Sequence, residues 1–447
     1  RTPCAEARKQ QGGSDEQAQQ AQEGLGVGRE GGVDVDRPTV GSVQILRGNA
    51  LALGLADESV DLIVTSPPYF GLRSYQDGGE HYAGQIGDEP TPAEFVDALI
   101  AATAEMVRVL KPSGSIWVNL GDKYAGSGGW ASGDATERSS TIATPQQKYQ
   151  RISAKPKPPV TDVRAKSLIG IPWRYAIRCI DDLGLILRAE VIWSKPNGLP
   201  ESVTDRVRRS HEQWFHFTRE PRYFSAVDEI REAHQHPHIA HTGPRVGRGE
   251  VDGNAQHLRM GLSPLGKLPG SVWTVATEPL HVPESLGIDH FAAFPTEWPR
   301  RIITGWSPSG ICTECGEGRR PVGEKDRQPT QRVHNGSGFM SPDHGGRDSL
   351  PHRTLVTITG ETCACPEPTA PTRPSVVLDP FGGTGTTALV AKSLGRHGIT
   401  NDMSADYCRL AGWRTTDPKQ LAKAARRPFV PPTEQTDGQL DLLEGIA

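Results

Sequence analysis

Three groups of residues in this chain of 447 have types and spacings suited to chemistry. The first is Thr65-Ser66-Pro67-Pro68-Tyr69, directly after the apolar run Asp61 to Val64. Two consecutive prolines fix φ and lack N–H donors, so they stiffen the loop and leave carbonyls pointing outward as acceptors. Ser66 Oγ and the Pro67 carbonyl then form a rigid acceptor pair beside the aromatic face of Tyr69. Such a group suits an exocyclic amino group on a planar base, with acceptors taking its N–H protons while the rings stack. The plain alternative is a Pro-rich turn capping a strand; the strand before and the tyrosine after weigh against it. The second group is Val376-Val377-Leu378-Asp379-Pro380-Phe381-Gly382-Gly383-Thr384-Gly385-Thr386-Thr387, a strand, a Gly turn and a helix start. Glycines let backbone approach a ligand closely, and the helix N-terminus offers N–H groups. Gly383-x-Gly385-x-x-Ala388 also fits a dinucleotide fingerprint, and in either case Asp402, 19 residues after Gly383, is placed to hold ribose hydroxyls. The third group is Cys312/Cys315 with Cys363/Cys365, a CxxC and a CxC that supply four thiolates suited to tetrahedral zinc. A redox pair or free loop thiols are the alternatives, and His334, His344 and His352 are substitute ligands. No His spacing of the HExxH kind suggests a catalytic metal.

These groups need elements to hold them. Val43 to Leu46 and Asp61 to Val64 read as short buried strands. A helix is expected from Thr91 to Leu110, opened by the TPAE cap and closed before Lys111-Pro112-Ser113-Gly114, and Ser115 to Leu120 reads as the next strand. Further on, 171–184 reads as a helix, 185–196 and 212–225 as strands with a turn, 294–306 as a helix and His397 to Asn401 as a strand. Strand and helix alternate, so an α/β domain with a mostly parallel sheet is expected. Such sheets bind ligands at the carboxyl edge of their strands.

Taken together, the FxGxG turn (Phe381, Gly383, Gly385) after an acid-ended strand and the SPPY loop resemble the S-adenosylmethionine-dependent amino-methyltransferases of DNA. These modify N4 of cytosine or N6 of adenine. SPPY precedes FGGTG, an order similar to the permuted β group of that family. The likeness runs over most of residues 43–413, through TSPPYFGLRSY, LKPSGSIWVNLGD, IPWRYAI, AEVIWSKPNGLPESV, HEQWFHFT, HFAAFPTEW, VVLDPFGGTGTTALVA and DMSADYCRLA.

The resemblance implies an α/β, Rossmann-like methyltransferase fold with a mostly parallel twisted sheet, a zinc-ribbon-like insertion and disordered tails. It implies that Ser66, Pro67, Pro68 and Tyr69 hold a flipped-out base. Asp379, Phe381, Gly383, Gly385 and Thr386 would hold the methionine part of S-adenosylmethionine, Asp402 the ribose, and Phe294-Pro295 would complete the pocket. Cys312, Cys315, Cys363 and Cys365 would hold structural zinc. Serine at the acceptor position leans towards cytosine N4, with N6-adenine as the alternative. A methyltransferase of protein side-chain amides and a catalytically silent DNA-binding relative are readings from other classes; the long insert counts against the first and the intact motifs against the second. Methylation of cytosine carbon 5 would need a nucleophilic Cys after Pro, and Pro3-Cys4 is the only such step.

Domains are expected as a disordered tail (1–42), a catalytic half (43–225) with a flexible basic loop (126–160), a target-recognition insert (226–285), a cofactor-pocket helix (286–310), the zinc-ribbon-like insertion (311–366), a cofactor-binding half (374–415) and a flexible tail (416–447). The insert carries His234, His236, His238, Arg245, Arg248 and Arg259 as candidate DNA contacts. With 50 Gly and 37 Pro, much of the chain must be loop. Net charge is −4, so DNA would need a local basic surface; Lys123 to Arg178 supplies ten Lys/Arg against three acids. Apolar runs fall far short of the roughly 20 residues a membrane helix needs, and no leader opens the sequence, so a cytoplasmic protein acting on double-stranded DNA, beside a cognate restriction or defence system and with no membrane, is expected. Cys4, Cys179 and Cys408 stand alone and read as a tail residue and two buried small hydrophobes.

Overall fold

The computed structural model describes residues 41–71, 76–77, 80–81, 84–125, 163–198, 200–201, 203–232, 265–288, 293–329, 352–367 and 369–429. Residues 1–40, Cys4 among them, the whole of the 126–160 loop, 233–264 with the six insert residues named above, 330–351 with His334 and His344, and 430–447 lie outside the described residues.

Strand β1 (Ser42–Arg47) is followed by β2 (Val60–Thr65), whose six residues are all buried. A small hairpin, β3 (Gln76–Asp77) and β4 (Glu80–His81), precedes helix α1 (Pro92–Val109). The α1 N-terminus forms because Thr91 and Glu94 make a reciprocal capping box and Pro92 opens the first turn, where its missing N–H costs nothing. Phe95, Leu99, Thr103 and Met106 recur at helical spacing and are buried against the sheet. Strand β5 (Leu110–Leu120) starts earlier than the expected Ser115: Lys111 to Gly114 run as irregular strand, with a register shift against β2. Helix α2 (Ile171–Asp181) has no side-chain cap of its own; the carboxylate of Asp122, just beyond β5, accepts from the N–H groups of Gly170 and Ile171. Then come β6 (Ile186–Ser194), β7 (His211–Thr218) and β8 (Val272–Thr274), so the end of the insert adds a strand to the main sheet.

Helix α3 (Glu297–Trp306) leads to β9 (Ile311–Cys312), the hairpin of β10 (Arg320–Pro329) with β11 (His352–Thr362), and β12 (Thr372–Arg373), which pairs with β9. The chain closes through β13 (Val376–Asp379), α4 (Thr386–Ser393), β14 (His397–Asp402), α5 (Ala405–Thr416) and α6 (Pro418–Ala424). Part of the expected flexible tail after 416 is therefore helix, and Lys423 on α6 lies 2.6 Å from Glu278.

The main sheet runs β1-β14-β13-β2-β5-β7-β6-β8. Every pair is parallel except β5 with β7 and β7 with β6. Alternation along the strands sorts side chains into two cores. Val60, Ile63, Ile116, Val118, Phe215 and Phe217 face α1 and α2, whereas Leu62, Val64, Trp117 and Trp214 face α3 and α4. This is a Rossmann-like α/β fold with helices on both faces. β1 is an edge strand with alternating exposure, so the expected buried strand is half-buried. Cys179 is buried and Cys408 partly so. Among the described residues no helix is long and apolar enough to cross a membrane.

Candidate functional site

Adjacent central strands β2 and β13 send their chains to opposite faces, β2 towards α1 and β13 towards α4. A crevice opens at their carboxyl ends, as it does wherever the winding direction of such a sheet switches. Into it come the SPPY loop after β2, Asn119 near the end of β5, the Gly turn after β13 and Asp402 at the end of β14. The crevice is a cavity of about 460 Å³, within the range of small-molecule sites. Its walls include Ser66, Pro67, Pro68, Tyr69, Phe294, Phe381, Gly383, Thr386 and Asp402, all singled out from sequence.

Asp379, Gly385 and Pro295 are placed differently. Asp379 was expected to hold ligand, but its carboxylate is 1% exposed and is not part of the wall. Oδ1 accepts from Thr65 Oγ1 at 2.6 Å and from the Phe381 N–H at 3.2 Å; Oδ2 accepts from Thr387 Oγ1 at 2.9 Å. Its donors are all protein, so Asp379 ties the end of β2 to the Gly turn and α4. Burial pushes its pKa up to about 6 against these bonds. Gly385 is the N-cap of α4, packed on Ala411, and Pro295 is buried with its carbonyl accepting from Trp298 N–H.

The turn itself fits a ligand. A Cβ built on Gly383 would meet no atom nearer than 3.9 Å, so the space above this wall residue is open on the protein side. Asp402 Oδ2 accepts from Gly383 N–H at 2.8 Å and Oδ1 from Ser404 N–H at 2.9 Å, which fixes the carboxylate at the cavity wall.

On the SPPY side the structure brings in residues given no role above. Asn119 Nδ2 donates to the Gln213 carbonyl at 3.0 Å, which turns Oδ1 towards the loop. Oδ1 accepts from Tyr69 OH at 2.9 Å and from Ser66 Oγ at 3.4 Å. Tyr69 OH also lies 2.8 Å from Glu212 Oε2, and Glu212 Oε1 is paired with Lys195 Nζ. Lys195 sits over the Trp193 ring at 4.1 Å, and Asn119, Trp193, Lys195 and Glu212 all line the cavity. Strand register brings them together: Asn119 is opposite Trp214, and Trp193 opposite Glu212. Thr277 to Leu280, at the end of the insert, close another wall.

Apart from this crevice, the sulfurs of Cys312, Cys315, Cys363 and Cys365 lie within 4.8 Å of one another. Cys312 Sγ and Cys365 Sγ are 3.8 Å apart, too far for a disulfide. A tetrahedron of thiolates with bonds of about 2.3 Å has edges of about 3.8 Å, so the spacing fits zinc. The N–H groups of Cys315 and Glu314 hold the Cys312 thiol down at about 6.

The family model described as DNA methylase, of the N6/N4 type, matches residues 60–311 and 369–412. The chain is 36% identical over 267 residues to the type II methyltransferase M.XycI of Xanthomonas campestris pv. cyanopsidis, covering 58% of this chain and 73% of that protein. It is 29% identical over 372 residues to the type II methyltransferase M.SmaI of Serratia marcescens, covering 83% and 89%. Among solved structures, the cytosine-N4-specific PvuII DNA methyltransferase aligns with a TM-score of 0.47 at 16% identity, over 87% of this chain and 93% of that one.

Proposed function

The chain belongs to the N6/N4 family of DNA methylases, and from that premise we propose that it transfers a methyl group from S-adenosylmethionine to N4 of a cytosine flipped out of duplex DNA at a short specific site. The observation that carries this reading is the polarity of Ser66. Its hydroxyl proton points at Asn119 Oδ1, which is itself oriented by the Gln213 carbonyl, so the lone pairs of Ser66 Oγ are left to accept. With the Pro67 carbonyl they form a neutral acceptor pair for the two N–H bonds of an exocyclic amine. Holding both N–H bonds favours the pyramidal nitrogen, whose lone pair is then released from the ring for attack. Positioning and electrostatics supply most of what such a reaction needs. Tyr69 would stack on the base and repay part of the few kcal/mol that extrusion costs.

The other half of the cavity suits the cofactor, which when bound supplies an electrophilic methyl group on a sulfonium. The open face of Gly383 would admit its amino-acid end, Asp402 would accept from ribose hydroxyls, and Phe294 and Phe381 would supply apolar walls. The type II methyltransferases among its relatives support a cognate restriction enzyme as the partner of this chain.

Purified protein incubated with tritiated S-adenosylmethionine and mixed duplex DNA, followed by digestion to nucleosides, tests the assignment. N4-methylcytosine is expected. N6-methyladenine alone would overturn the choice of base, and transfer to no DNA the whole reading. The four cysteines are read as a structural zinc site: metal analysis should find about one zinc per chain, and a chelator should expose 311–366 to protease first. A metal-free chain with the same protease pattern would reject the site.

A further inference from the structure

A buried cation lies beneath the Gly turn. Arg414, on α5, is 4% exposed, and among the described residues no carboxylate stands within ion-pair distance of its guanidinium. Nη1 donates to Thr384 Oγ1 and Thr386 Oγ1, both at 2.6 Å, and to the Thr384 carbonyl at 3.4 Å, while Nε is buried with no hydrogen-bond partner. Burial lowers its pKa only to about 10, so it stays charged at neutral pH. Among the described residues only the charge of Glu278 acts on it, beyond ion-pair distance, and a buried charge without a direct partner is costly to keep.

The chemistry of its contacts gives that charge a use. A guanidinium only donates, so both threonine hydroxyls must accept from it and send their own protons elsewhere. The two hydroxyl oxygens are 3.2 Å apart, and one proton can bridge them. The other has no place within the pair. Thr384 and Thr386 both line the cavity next to Gly382 and Gly383, and Thr386 is the first residue of α4, whose N-terminus has no side-chain cap and carries the positive end of the helix dipole. This corner therefore presents a cation behind a hydroxyl donor at a helix N-terminus. Asp402, Glu278 and Glu212, the carboxylates on the cavity wall, are already engaged: Asp402 by the Gly383 and Ser404 N–H groups, Glu278 by Thr296 and Lys423, and Glu212 by Tyr69 and Lys195.

We propose that Arg414 is a positioning residue for the cofactor: it sets the Thr384 and Thr386 hydroxyls as donors towards the carboxylate of the amino-acid end of S-adenosylmethionine. The proposal rests on the reading of this cavity as the cofactor site. Arg414 touches no ligand; it acts through the two threonines and through its charge.

The test compares two ligands on the full-length protein by titration calorimetry without DNA: S-adenosylmethionine, and its decarboxylated form, which keeps the sulfonium and the ammonium. Arg414→Gln is expected to weaken S-adenosylmethionine at least ten-fold and to leave the decarboxylated form within two-fold of wild type, with Arg414→Lys recovering part of the loss. Where Arg414→Gln does not fold, Thr386→Val, nearly the same size, should show the same selective loss. Equal weakening of both ligands would reduce Arg414 to packing and overturn the proposal alone, as would no weakening of either. Wild-type protein that binds neither ligand would overturn the cofactor site and the proposal with it.

Discussion

Tyr69 was read from sequence as a stacking ring, but its hydroxyl is as well placed as its face. One phenolic proton has two acceptors in reach, Asn119 Oδ1 and Glu212 Oε2, and Glu212 is held in turn by Lys195. Glu212→Gln would replace one carboxylate oxygen by an NH2 donor and remove the charge that holds Lys195, leaving the Tyr69 proton to Asn119. Single-turnover methylation should slow about ten-fold or more, with cofactor affinity unchanged, because loss of one partner of a shielded charge pair costs on the order of 2 kcal/mol. Tyr69→Phe keeps the ring and should lose less than Tyr69→Ala, from which stacking worth roughly 1–3 kcal/mol is also gone. Equal rates for the two Tyr69 variants would move the function of this residue from ring to hydroxyl. SPPY and FGGTG were legible because each acts as one short run of chain. Asn119, Lys195 and Glu212 were not, because no spacing joins 69, 119, 195 and 212; only the register of β5, β6 and β7 does. The protein partners of Asp379 were hidden for a related reason. The hydroxyl that donates to this carboxylate belongs to Thr65, more than 300 residues earlier, and no spacing in the sequence joins the two.

At the level of elements, the turn between β13 and α4 separates two glycines that sequence treats alike. A Cβ on Gly382 would lie 1.7 Å from Thr400 Oγ1, so this glycine keeps the turn against β14. Gly383 has φ +49 and open space, so an alanine there costs about 1 kcal/mol of backbone strain and clashes with nothing in the protein. Gly383→Ala should therefore melt cooperatively a few degrees below wild type yet bind S-adenosylmethionine at least ten-fold more weakly, while Gly382→Ala should fail to fold stably. Thermal denaturation with cofactor titration checks both, and full affinity in Gly383→Ala would remove the turn from the cofactor site. Elements with strong local signals were legible: α1 begins where its capping box says, and β2 is the continuous apolar run of a central parallel strand. Those set by long-range contact were not. Helix α6 is short and polar and is anchored through Lys423 to Glu278, and Lys111 to Gly114, between the expected helix and the expected strand, are drawn into strand beside β2.

Across the whole molecule, the face of the sheet under α3 and α4 is an aromatic layer. Trp117, Trp193, Trp214, Trp273, Trp298 and Trp306 pack there, and His216 stacks on Trp117 at 4.5 Å with Nε2 3.0 Å from Ser115 Oγ. A titratable ring in such a layer links stability to pH. Burial, with Arg188 nearby, pushes the His216 pKa down to about 3, so the folded chain keeps it neutral where the unfolded chain, at the ordinary 6.5, takes a proton. Its contribution is complete above about pH 6.5 and is lost as pH falls, by about 1.4 kcal/mol per unit, down to about pH 3. Asp379 acts in the opposite sense. Its folded pKa of about 6 lies above the ordinary 3.8, so the folded chain holds the extra proton between these values and the contribution of Asp379 declines as pH rises from 3.8 to 6. The two slopes oppose each other over that window, which masks both in wild type. Urea unfolding of wild type, His216→Gln and Asp379→Asn from pH 4 to 8 separates them. The advantage of wild type over His216→Gln should shrink steadily below pH 6.5, and Asp379→Asn should gain on wild type between pH 4 and 6. A wild-type minus His216→Gln difference that stays constant with pH would show that the buried imidazole has no part in the acid lability of the fold.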